Sequence, residues 1–240
     1  MPENLREDVP TVLITGASRG IGLEFVRQYA EAGWQVLATC RLPDRASLLR
    51  DLADRHPTIQ VHALDVADEN SIKSLAVKLD GTVIDVLINN AGISGRLDGQ
   101  AFGTLDYQTG RETMETNLFG PMRMAEVFLE HVAASQQRKI MTVSSMLGSI
   151  AGTTGGSYFY RCCKAAVNMA MATLARDVAH RGVIVGVLSP GLVATDLTAS
   201  LGGDKISVQE SVSGLIPVIE AFTLENSGQF MRYTGLPVPW

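Results

Sequence analysis

Short apolar runs alternate with longer amphipathic segments along most of the chain. Six apolar runs rich in Val, Ile and Leu are typical of strands: residues 11–15, 35–39, 59–64, 83–89, 139–143 and 183–188. Between them, apolar positions recur at helical spacing, for example at residues 21–32, 70–79, 117–134 and 164–180. Strands that are apolar almost throughout, separated by helices, are typical of a parallel sheet buried on both faces. With right-handed crossovers, the pattern predicts a doubly wound α/β fold.

The composition is that of an ordinary globular protein, with 240 residues, 46% hydrophobic and 19% charged. Neither an internal repeat nor a low-complexity linker divides the sequence, so residues 1–240 are expected to form a single domain. The formal net charge of -5 disfavours nucleic acid or an anionic membrane as a partner. Every apolar stretch is also shorter than the roughly 18 residues that a membrane span requires.

Two features of the sequence indicate a cytoplasmic protein. The first ten residues, MPENLREDVP, are polar and acidic, unlike a secretory signal peptide. Cys40, Cys162 and Cys163 cannot all pair, and two of them are adjacent, so reduced thiols are expected. Core packing is the expected role of Cys162 and Cys163, with a redox switch as the alternative. The four histidines lack the spacing of a metal site, and no metal is expected.

A glycine-rich segment, TGASRGIG at residues 15–22, follows the first predicted strand and runs directly into a helix. Gly16 permits a tight turn, Gly20 allows the backbone to approach a pyrophosphate, and Gly22 allows close packing of helix on strand. The helix N-terminus presents unpaired N–H groups to the phosphates. Glycines alone also suit an empty structural turn. The strand before this segment, and the helix and second strand after it, are the context of a dinucleotide site.

The end of the second predicted strand bears on the choice of cofactor. NAD sites typically place Asp or Glu about 20 residues past the glycines, where the carboxylate binds the ribose 2′-hydroxyl. Here the chain has Thr39 and Cys40, followed by Arg41, whose guanidinium can bind a 2′-phosphate. Arg19 in the glycine loop would add a second positive charge, whereas Asp44 opposes it. The sequence favours NADP(H) over NAD(H), unless Arg41 is only a solvated surface residue.

Tyr160 and Lys164 lie four residues apart in the segment SYFYRCCK, residues 157–164. On a helix they share a face, whereas Tyr158, six residues before the lysine, points elsewhere. A free tyrosine, with a pKa of about 10, is a poor base at neutral pH. An ammonium group and an oxidised nicotinamide nearby would both favour the phenolate and lower that pKa. Tyr160 is therefore the candidate proton carrier.

Six short motifs occur in order along nearly the whole chain. They are TGASRGIG (15–22), NNAG (89–92), TNLFG around Asn117, VSS (143–145), YRCCK (160–164) and PGLVAT (190–195). Each alone is modest evidence, but together they resemble the short-chain dehydrogenase/reductase family. The resemblance implies a Rossmann-type domain with about seven parallel strands and helices on both faces. It also implies a cofactor-binding half, about residues 10–115, and a catalytic half, about residues 116–240.

The resemblance assigns catalytic roles to Asn117, Ser145, Tyr160 and Lys164. Ser145 would bond the substrate carbonyl and stabilise charge on its oxygen, with the neighbouring Ser144 as the competing choice. Lys164 would also bond the nicotinamide ribose, and Asn117 would hold a water that relays protons to this lysine. For Asn117, the alternative is an ordinary helix N-cap.

Cofactor contacts are implied at the ends of several strands. Asp65 and Val66 would contact adenine, the NNAG segment would admit the ribose, and residues 190–195 would meet the carboxamide end of the nicotinamide. Each of these segments could instead be ordinary turn chemistry. The implied set is Gly16, Ser18, Arg19, Gly20, Ile21, Gly22, Arg41, Asp65, Val66, Asn89, Ala91, Gly92, Tyr160, Lys164, Pro190, Gly191, Val193 and Thr195.

The spacing between serine and tyrosine departs from the pattern of many family members, which would pair Ser145 with Tyr158. Position 162 is a cysteine, so the lysine that Tyr158 would need is missing from the next turn. An extension of two residues in the loop at 148–157, which its glycines make sterically cheap, explains the difference. Such a loop, and the ending GLPVPW, are similar to the Sniffer/C-factor branch of carbonyl reductases. Tyr158 would then line the substrate entrance or pack.

The resulting hypothesis is an NADP(H)-dependent oxidoreductase that transfers hydride between nicotinamide and a small carbonyl or secondary alcohol substrate, with Tyr160 moving the proton. The alternative is a nucleotide-binding signalling protein of the C-factor type with vestigial catalysis. The segment 196–212 would shape the substrate pocket and is expected to be a mobile lid. By family analogy, the helices at 117–134 and 160–180 would pair with a second subunit, giving a homodimer or homotetramer.

Overall fold

Seven strands form one parallel sheet in the computed structural model, which describes residues 9–240. The strands are β1 Thr11–Ile14, β2 Gln35–Cys40, β3 Ile59–Ala63, β4 Val86–Asn89, β5 Lys139–Val143, β6 Ile184–Ser189 and β7 Phe230–Arg232. Their order across the sheet is β3-β2-β1-β4-β5-β6-β7, so the chain winds outward from β1 in both directions. The predicted doubly wound parallel sheet is confirmed. Residues 1–8, which enter the signal-peptide argument, lie outside the described range.

Seven α-helices connect the strands within the described range. They are α1 Gly20–Glu31, α2 Ser47–Arg55, α3 Glu69–Lys78, α4 Tyr107–Met114, α5 Gly120–Ala133, α6 Tyr158–Asp177 and α7 Val208–Ala221. Because consecutive side chains of a strand face opposite sides of the sheet, the strands contribute to two separate cores. In β1, Val12 and Ile14 pack with α1, α2 and α7, whereas Leu13 packs with α3, α5 and α6. Helices therefore cover both faces, as predicted.

All seven strands run in the same direction, so their carboxyl ends lie along one edge of the sheet. The glycine loop follows β1, the NNAG segment begins in β4, Ser145 comes shortly after β5, and residues 190–195 follow β6. Such an edge is where ligands bind in open α/β sheets. The fold thus brings four motifs that are far apart in the sequence to one place.

Two predicted segments differ from the structure. The helix predicted at 117–134 is the second part of a longer helical run, in which a π-helical turn, Glu115–Phe119, joins α4 to α5. The mobile lid predicted at 196–212 is wrong in its last part, because α7 begins at Val208 and Ser211 and Val212 are buried. The Ser207 hydroxyl caps that helix by accepting the N–H of Glu210 at 3.0 Å.

Candidate active site

The glycine loop has the tight turn and the close packing of helix on strand that its glycines predict. Gly16 and Gly20 adopt φ values of 69° and 57°, which glycine tolerates without a steric penalty. A Cβ on Gly16 would lie 2.8 Å from the Cα of Ala91, and one on Gly22 would overlap the carbonyl oxygen of Gly16. The loop, the start of α1 and the NNAG segment therefore fit together only with backbone at these positions.

Asn90, which the sequence argument passed over, holds the glycine loop. Its side-chain amide donates to the carbonyls of Thr15 and Gly16 at 2.9 and 3.2 Å. The Thr15 hydroxyl in turn accepts the N–H groups of Asn90 and Ala91, both at 3.0 Å. Asn89, assigned to the cofactor by resemblance, points into the sheet, where its amide donates to the Thr142 hydroxyl at 3.4 Å. Alternation along β4 is the sequence signal that separates the two asparagines.

The end of β2 lies beside the glycine loop, because the Ala17 N–H donates to the carbonyl of Thr39 at 2.8 Å. Thr39 itself is buried and donates to the Ile14 carbonyl at 3.1 Å, while the Arg41 side chain is exposed. Arg19, predicted to add a second positive charge, pairs through its guanidinium with the Asp196 carboxylate at 2.8 Å, and both side chains are more than 70% exposed. Of the two arginines, Arg41 is the one placed at the strand end where dinucleotide sites bind the adenosine ribose.

Lys164 is buried on the inner face of α6, one helical turn beyond Tyr160. Its ammonium donates to the carbonyl of Val143, at the end of β5, at 2.9 Å. The Nζ atom lies 5.8 Å from the centre of the Tyr160 ring. Desolvation lowers the pKa of Lys164 to about 8, a shift that the neighbouring Cys163 thiol opposes.

The pKa of Tyr160 is higher than the sequence predicts. Desolvation raises the pKa of Tyr160 to about 12, and hydrogen bonding with Ser145 offsets only part of that rise. The expected lowering by the Lys164 ammonium is not met in this structure, because the lysine points past the ring to the Val143 carbonyl. Near neutral pH the phenol therefore carries its proton and is a donor.

The two candidate serines after β5 have different surroundings. The Ser144 side chain is buried, and its hydroxyl donates to the Asn168 side-chain carbonyl at 2.5 Å. The Ser145 hydroxyl accepts the Leu147 N–H at 3.2 Å, and its hydrogen bonding offsets part of the rise in the pKa of Tyr160. Of the two serines, Ser145 is the one that influences the phenol.

Asn117 is placed by the π-helical turn between α4 and α5. Its side-chain carbonyl accepts the Ile93 N–H at 2.9 Å, and its amide donates to the Ile93 carbonyl at 2.8 Å. These bonds connect the helix to the NNAG segment. Asn117 therefore lies inside the helical run and is not a helix N-cap. A Cβ on Gly92 would lie 3.2 Å from the Asn117 Oδ1 and 3.8 Å from the Lys164 Nζ, so these two side chains converge on Gly92.

A small cavity of about 30 Å³ adjoins the phenol of Tyr160. The residues that line it are Ser94, Leu147, Ser157, Tyr160, Leu197 and Leu201. The two leucines beyond Thr195 close one side, as expected of the segment predicted to shape the pocket. Tyr158 lies on another face of α6, where it is 40% exposed and its ring centre is 6.0 Å from that of Phe102. The two tyrosines thus have separate surroundings, and only Tyr160 meets this cavity.

The remaining predicted cofactor residues lie at two further strand ends. After β6, Gly191 adopts φ 85°, the buried Val193 forms a bridge with Ile206, and the Thr195 methyl lies 3.4 Å from where a Gly20 Cβ would be. Pro190 anchors α7, because its carbonyl accepts the hydroxyl of Ser211 at 2.7 Å.

After β3, the Asp65 carboxylate accepts the Ala67 N–H at 3.0 Å, and the buried Val66 packs beneath Gly120. In the glycine loop, Ser18 and Ile21 are half-buried. These contacts make the carboxyl edge of the sheet one connected surface from β3 to β6.

The surface fits a dinucleotide by its chemistry, since Gly16 and Gly20 adopt left-handed conformations in a loop that runs directly into the N-terminus of α1, where N–H groups can bind phosphate. Among residues 9–240, the acidic, cysteine and histidine side chains form no cluster placed to hold a metal ion. Within the same range, every helix is too short or too polar to cross a bilayer. The three cysteines are free, with Cys162 exposed and the other two buried.

Comparison with known proteins identifies the class to which this site and fold belong. The short chain dehydrogenase family matches residues 10–205, and the chain is a member of that family of oxidoreductases. Over 96% of its length the chain is 36% identical to the 1-hydroxy-2-glutathionyl-2-methyl-3-butene dehydrogenase of Rhodococcus sp. (strain AD45), covering 99% of that protein.

Two solved structures extend the likeness to the fold. The NADPH-bound carbonyl reductase from chicken fatty liver superposes with a TM-score of 0.90 at 33% identity, covering 97% of this chain and 99% of that one. The carbonyl reductase Sniffer of D. melanogaster gives a TM-score of 0.88 at 30% identity, covering 97% and 100%. The resemblance to the Sniffer branch is thereby confirmed.

Proposed function

We propose that the protein is an NADP(H)-dependent reductase of small carbonyl compounds that also oxidises the corresponding secondary alcohols. The observation that carries the proposal is the placement of Tyr160, which lines a cavity together with Ser94 and with Leu147 of the loop after β5. Lys164 is buried one helical turn further along α6. The NADPH-bound carbonyl reductase, which is similar over nearly the whole chain, supports the same choice of cofactor and substrate class.

The residues that would hold the dinucleotide follow from the site. The glycine loop and the N-terminus of α1 would bind the pyrophosphate, and Arg41 would bind the 2′-phosphate. Lys164 would bond the nicotinamide ribose, and residues 190–195 would bond its carboxamide. When bound, the nicotinamide supplies the hydride, while the protein contributes position and electrostatics.

In the reductive direction, Tyr160 and Ser145 would hold the carbonyl oxygen with two hydroxyl donors. Charge that develops on this oxygen is stabilised by donors that are already in place. A pKa of about 12 keeps the proton on Tyr160 near neutral pH, which is the form of the phenol that reduction requires. Oxidation requires the phenolate and should become faster as the pH rises. Asn117 would keep the π-helical turn against Ile93 and hold the water that resupplies protons through Lys164.

The lining of the cavity beside Tyr160 is largely apolar. Three leucines line it, together with two serines and Tyr160, and none of these residues is charged. An apolar wall with a few placed hydroxyls orients a ketone or aldehyde by its oxygen and accommodates its carbon skeleton by shape.

The test is turnover of purified protein with NADPH and a panel of ketones, aldehydes and quinones. Tyr160→Phe should reduce kcat by at least about a hundredfold, since it removes the proton donor and leaves the ring in place. Tyr158→Phe makes the same chemical change on the exposed face of α6 and should leave kcat near the wild-type value. Full turnover by Tyr160→Phe would refute the assignment. Tight NADPH binding without oxidation by any carbonyl would instead favour the signalling alternative.

We further propose that α5 and α6 pair with a second copy of the chain. Exposed apolar side chains lie on both helices, and a cleft of about 440 Å³ lies between α6 and the helical run that leads into α5. Its lining is Tyr107, Gly110, Arg111, Met114, Glu115, Phe119, Phe159 and Cys162.

A further inference from the structure

The start of α6 is completed by a residue from another part of the chain. The first N–H groups of a helix need partners from outside the helix. Ser157, at the N-cap, adopts φ 47° and makes no side-chain cap bond with any described residue. The carbonyl of Gln100 accepts the Tyr158 N–H at 3.2 Å, and its side-chain carbonyl accepts the Tyr160 N–H at 2.9 Å. One residue therefore caps the helix turn that carries the proposed proton donor.

The other end of the same amide holds the loop that lines the cavity. The Gln100 amide nitrogen donates to the Ser94 carbonyl at 2.6 Å and to the Arg96 carbonyl at 3.3 Å. Ser94 lines the cavity that Tyr160 faces. Gln100 is only 1% exposed, so these bonds form away from competing water. The amide thus connects two walls of the cavity.

The surrounding chain leaves space for this amide. Gly95 adopts φ 70°, and a Cβ there would lie 3.2 Å from the Gln100 amide nitrogen and 2.6 Å from the Thr113 hydroxyl oxygen. A side chain at position 95 would crowd the loop between Gln100 and α4. The loop therefore packs closely around the glutamine.

Only an amide satisfies both sets of partners. An acceptor is required toward the Tyr160 N–H, and a donor is required toward two carbonyl oxygens. A methionine of similar shape supplies neither, and a carboxylate would place negative charge against the carbonyls of Ser94 and Arg96. A protonated carboxyl would restore one donor and keep the acceptor.

We infer that Gln100 is a positioning residue for the reaction, which sets the first turn of α6, and with it Tyr160, relative to the cavity wall at Ser94. This inference rests on the proposed function. A misplacement of about 1 Å in a reacting group can cost about a hundredfold in rate. Loss of these bonds should therefore lower kcat, while the glycine loop, which lies elsewhere, keeps its affinity for NADPH.

The kinetic test compares Gln100→Met, Gln100→Glu and, as a matched control, Gln108→Met on the exposed side of α4. Gln100→Met should lower kcat for a carbonyl substrate about tenfold to a hundredfold at every pH, with the Kd for NADPH within about twofold of wild type. Gln108→Met should match the wild type. Wild-type kcat in Gln100→Met would overturn the inference.

Gln100→Glu provides a proton-dependent rescue that a general loss of stability would not reproduce. A buried carboxyl has a raised pKa, so the variant is protonated in mildly acidic buffer. Its kcat relative to wild type should be highest near pH 6 and fall about tenfold by pH 8. A ratio that stays flat over this range would contradict the assignment of donor and acceptor roles.

An independent measurement separates this inference from the proposed function. Amide hydrogen exchange at residues 158–161 should be about tenfold faster in Gln100→Met than in wild type, with the second half of α6 unchanged. If the wild type reduces no carbonyl, the proposed function fails and the exchange result alone decides whether Gln100 holds this turn. Unchanged exchange in that turn would overturn the inference in either case.

Discussion

Lys164 lowers the stability of the folded protein through its burial, and the same residue is part of the proposed active site. Its side chain is 5% exposed, and desolvation lowers its pKa to about 8 from an ordinary value of 10.5. Between these values the unfolded chain binds more protons at this lysine than the folded chain, so Lys164 makes the free energy of unfolding rise with pH. The buried thiols of Cys40 and Cys163, whose pKa values burial raises, work in the opposite sense from about pH 9, and the buried tyrosines do so from about pH 10.

We therefore predict that the free energy of unfolding of the cofactor-free protein contains a contribution from Lys164 that grows from pH 8 to 10 by up to roughly 3 kcal/mol. Lys164→Met should lack this growth. Urea denaturation at several pH values measures the difference between the two proteins. Lys73→Met, at an exposed site on α3, serves as the control and should keep the wild-type slope. Equal slopes for wild type and Lys164→Met would show that the lysine pKa is not depressed.

Arg41 gives the second prediction at this scale. Its guanidinium is exposed at the end of β2, beside a glycine loop held to the Thr39 carbonyl. A charge-assisted contact with a 2′-phosphate is worth about 1.5–3 kcal/mol. Arg41→Ala should raise the Kd for NADPH by roughly tenfold to a hundredfold and leave the Kd for NADH within about twofold. Fluorescence titration of the nicotinamide measures both constants.

Arg45→Ala is the matched control, since Arg45 is exposed in the short 3-10 turn that follows β2. It should bind both cofactors as the wild type does. Equal weakening of NADPH and NADH by Arg41→Ala would mean that this arginine does not recognise the 2′-phosphate.

Single residues also mark where sequence reasoning stops. The helical spacing of Tyr160 and Lys164 is local, so the sequence determines that the two side chains share a face of α6. Asn90 bonds two carbonyls of the glycine loop, which are 75 and 74 positions away, and Gln100 bonds Tyr160, which is 60 positions away. Their partners are backbone groups. Backbone groups are the same at every residue, so the sequence carries no local sign of such bonds.

At the scale of elements, the C-terminal segment holds the loop before α6. The Ser149 hydroxyl donates to the Pro239 carbonyl at 2.6 Å and accepts the Gly152 N–H at 3.1 Å. The Ala151 N–H donates to the Trp240 carbonyl at 2.9 Å, and the Trp240 ring lies 5.7 Å from that of Phe230 in β7. The GLPVPW ending thus connects the loop between Ser145 and Tyr160 to the sheet.

Ser149→Ala should lower the free energy of unfolding by about 0.5–1.5 kcal/mol, because it removes the two hydrogen bonds of a buried hydroxyl. The loop at 149–157 should also be cut faster by a protease under native conditions, which limited proteolysis followed by mass spectrometry measures. Ser74→Ala, at an exposed position on α3, should change neither quantity. An unaltered cleavage rate in Ser149→Ala would argue against this role for the C-terminal segment.

Elements were predictable where burial gives a clear pattern. Six of the seven strands follow from apolar runs, whereas β7 has only three residues, Phe230–Arg232, and is too short to show a pattern. The lid was extended too far because Gly202 and Gly203 suggest a loop, while Ser207, the residue that caps α7, comes only a few positions later. The open space around Gly155 and Gly156 among the described residues is consistent with the longer loop inferred at 148–157.

At the scale of the whole molecule, one apolar stripe is left on the outside of α6. Tyr158, Cys162 and Met169 recur at helical spacing, and Met169 is 69% exposed. On the adjoining helical run, Phe119 and Met122 are 40% and 43% exposed. A contiguous apolar surface of this kind is typical of an interaction site, and the proposed partner is a second copy of the chain.

Met169→Asp should shift the protein toward the monomer, because it places a charge within that apolar stripe. Light scattering coupled to size-exclusion chromatography at micromolar protein gives the mass. Val77→Asp, on α3 at 77% exposure, introduces the same charge elsewhere and should leave the mass unchanged. A wild-type protein that is already monomeric at this concentration would remove the proposed assembly.

The ion pair between Arg19 and Asp196 is expected to affect the rate at which a bound cofactor dissociates. The loops after β1 and β6 meet although β4 and β5 lie between their strands, a separation of roughly 14 Å at the sheet. The two loops are connected across the strand ends by this ion pair, and both of its side chains are more than 70% exposed. Exposed ion pairs weaken as salt screens them. The dissociation rate of a bound dinucleotide should therefore increase with ionic strength.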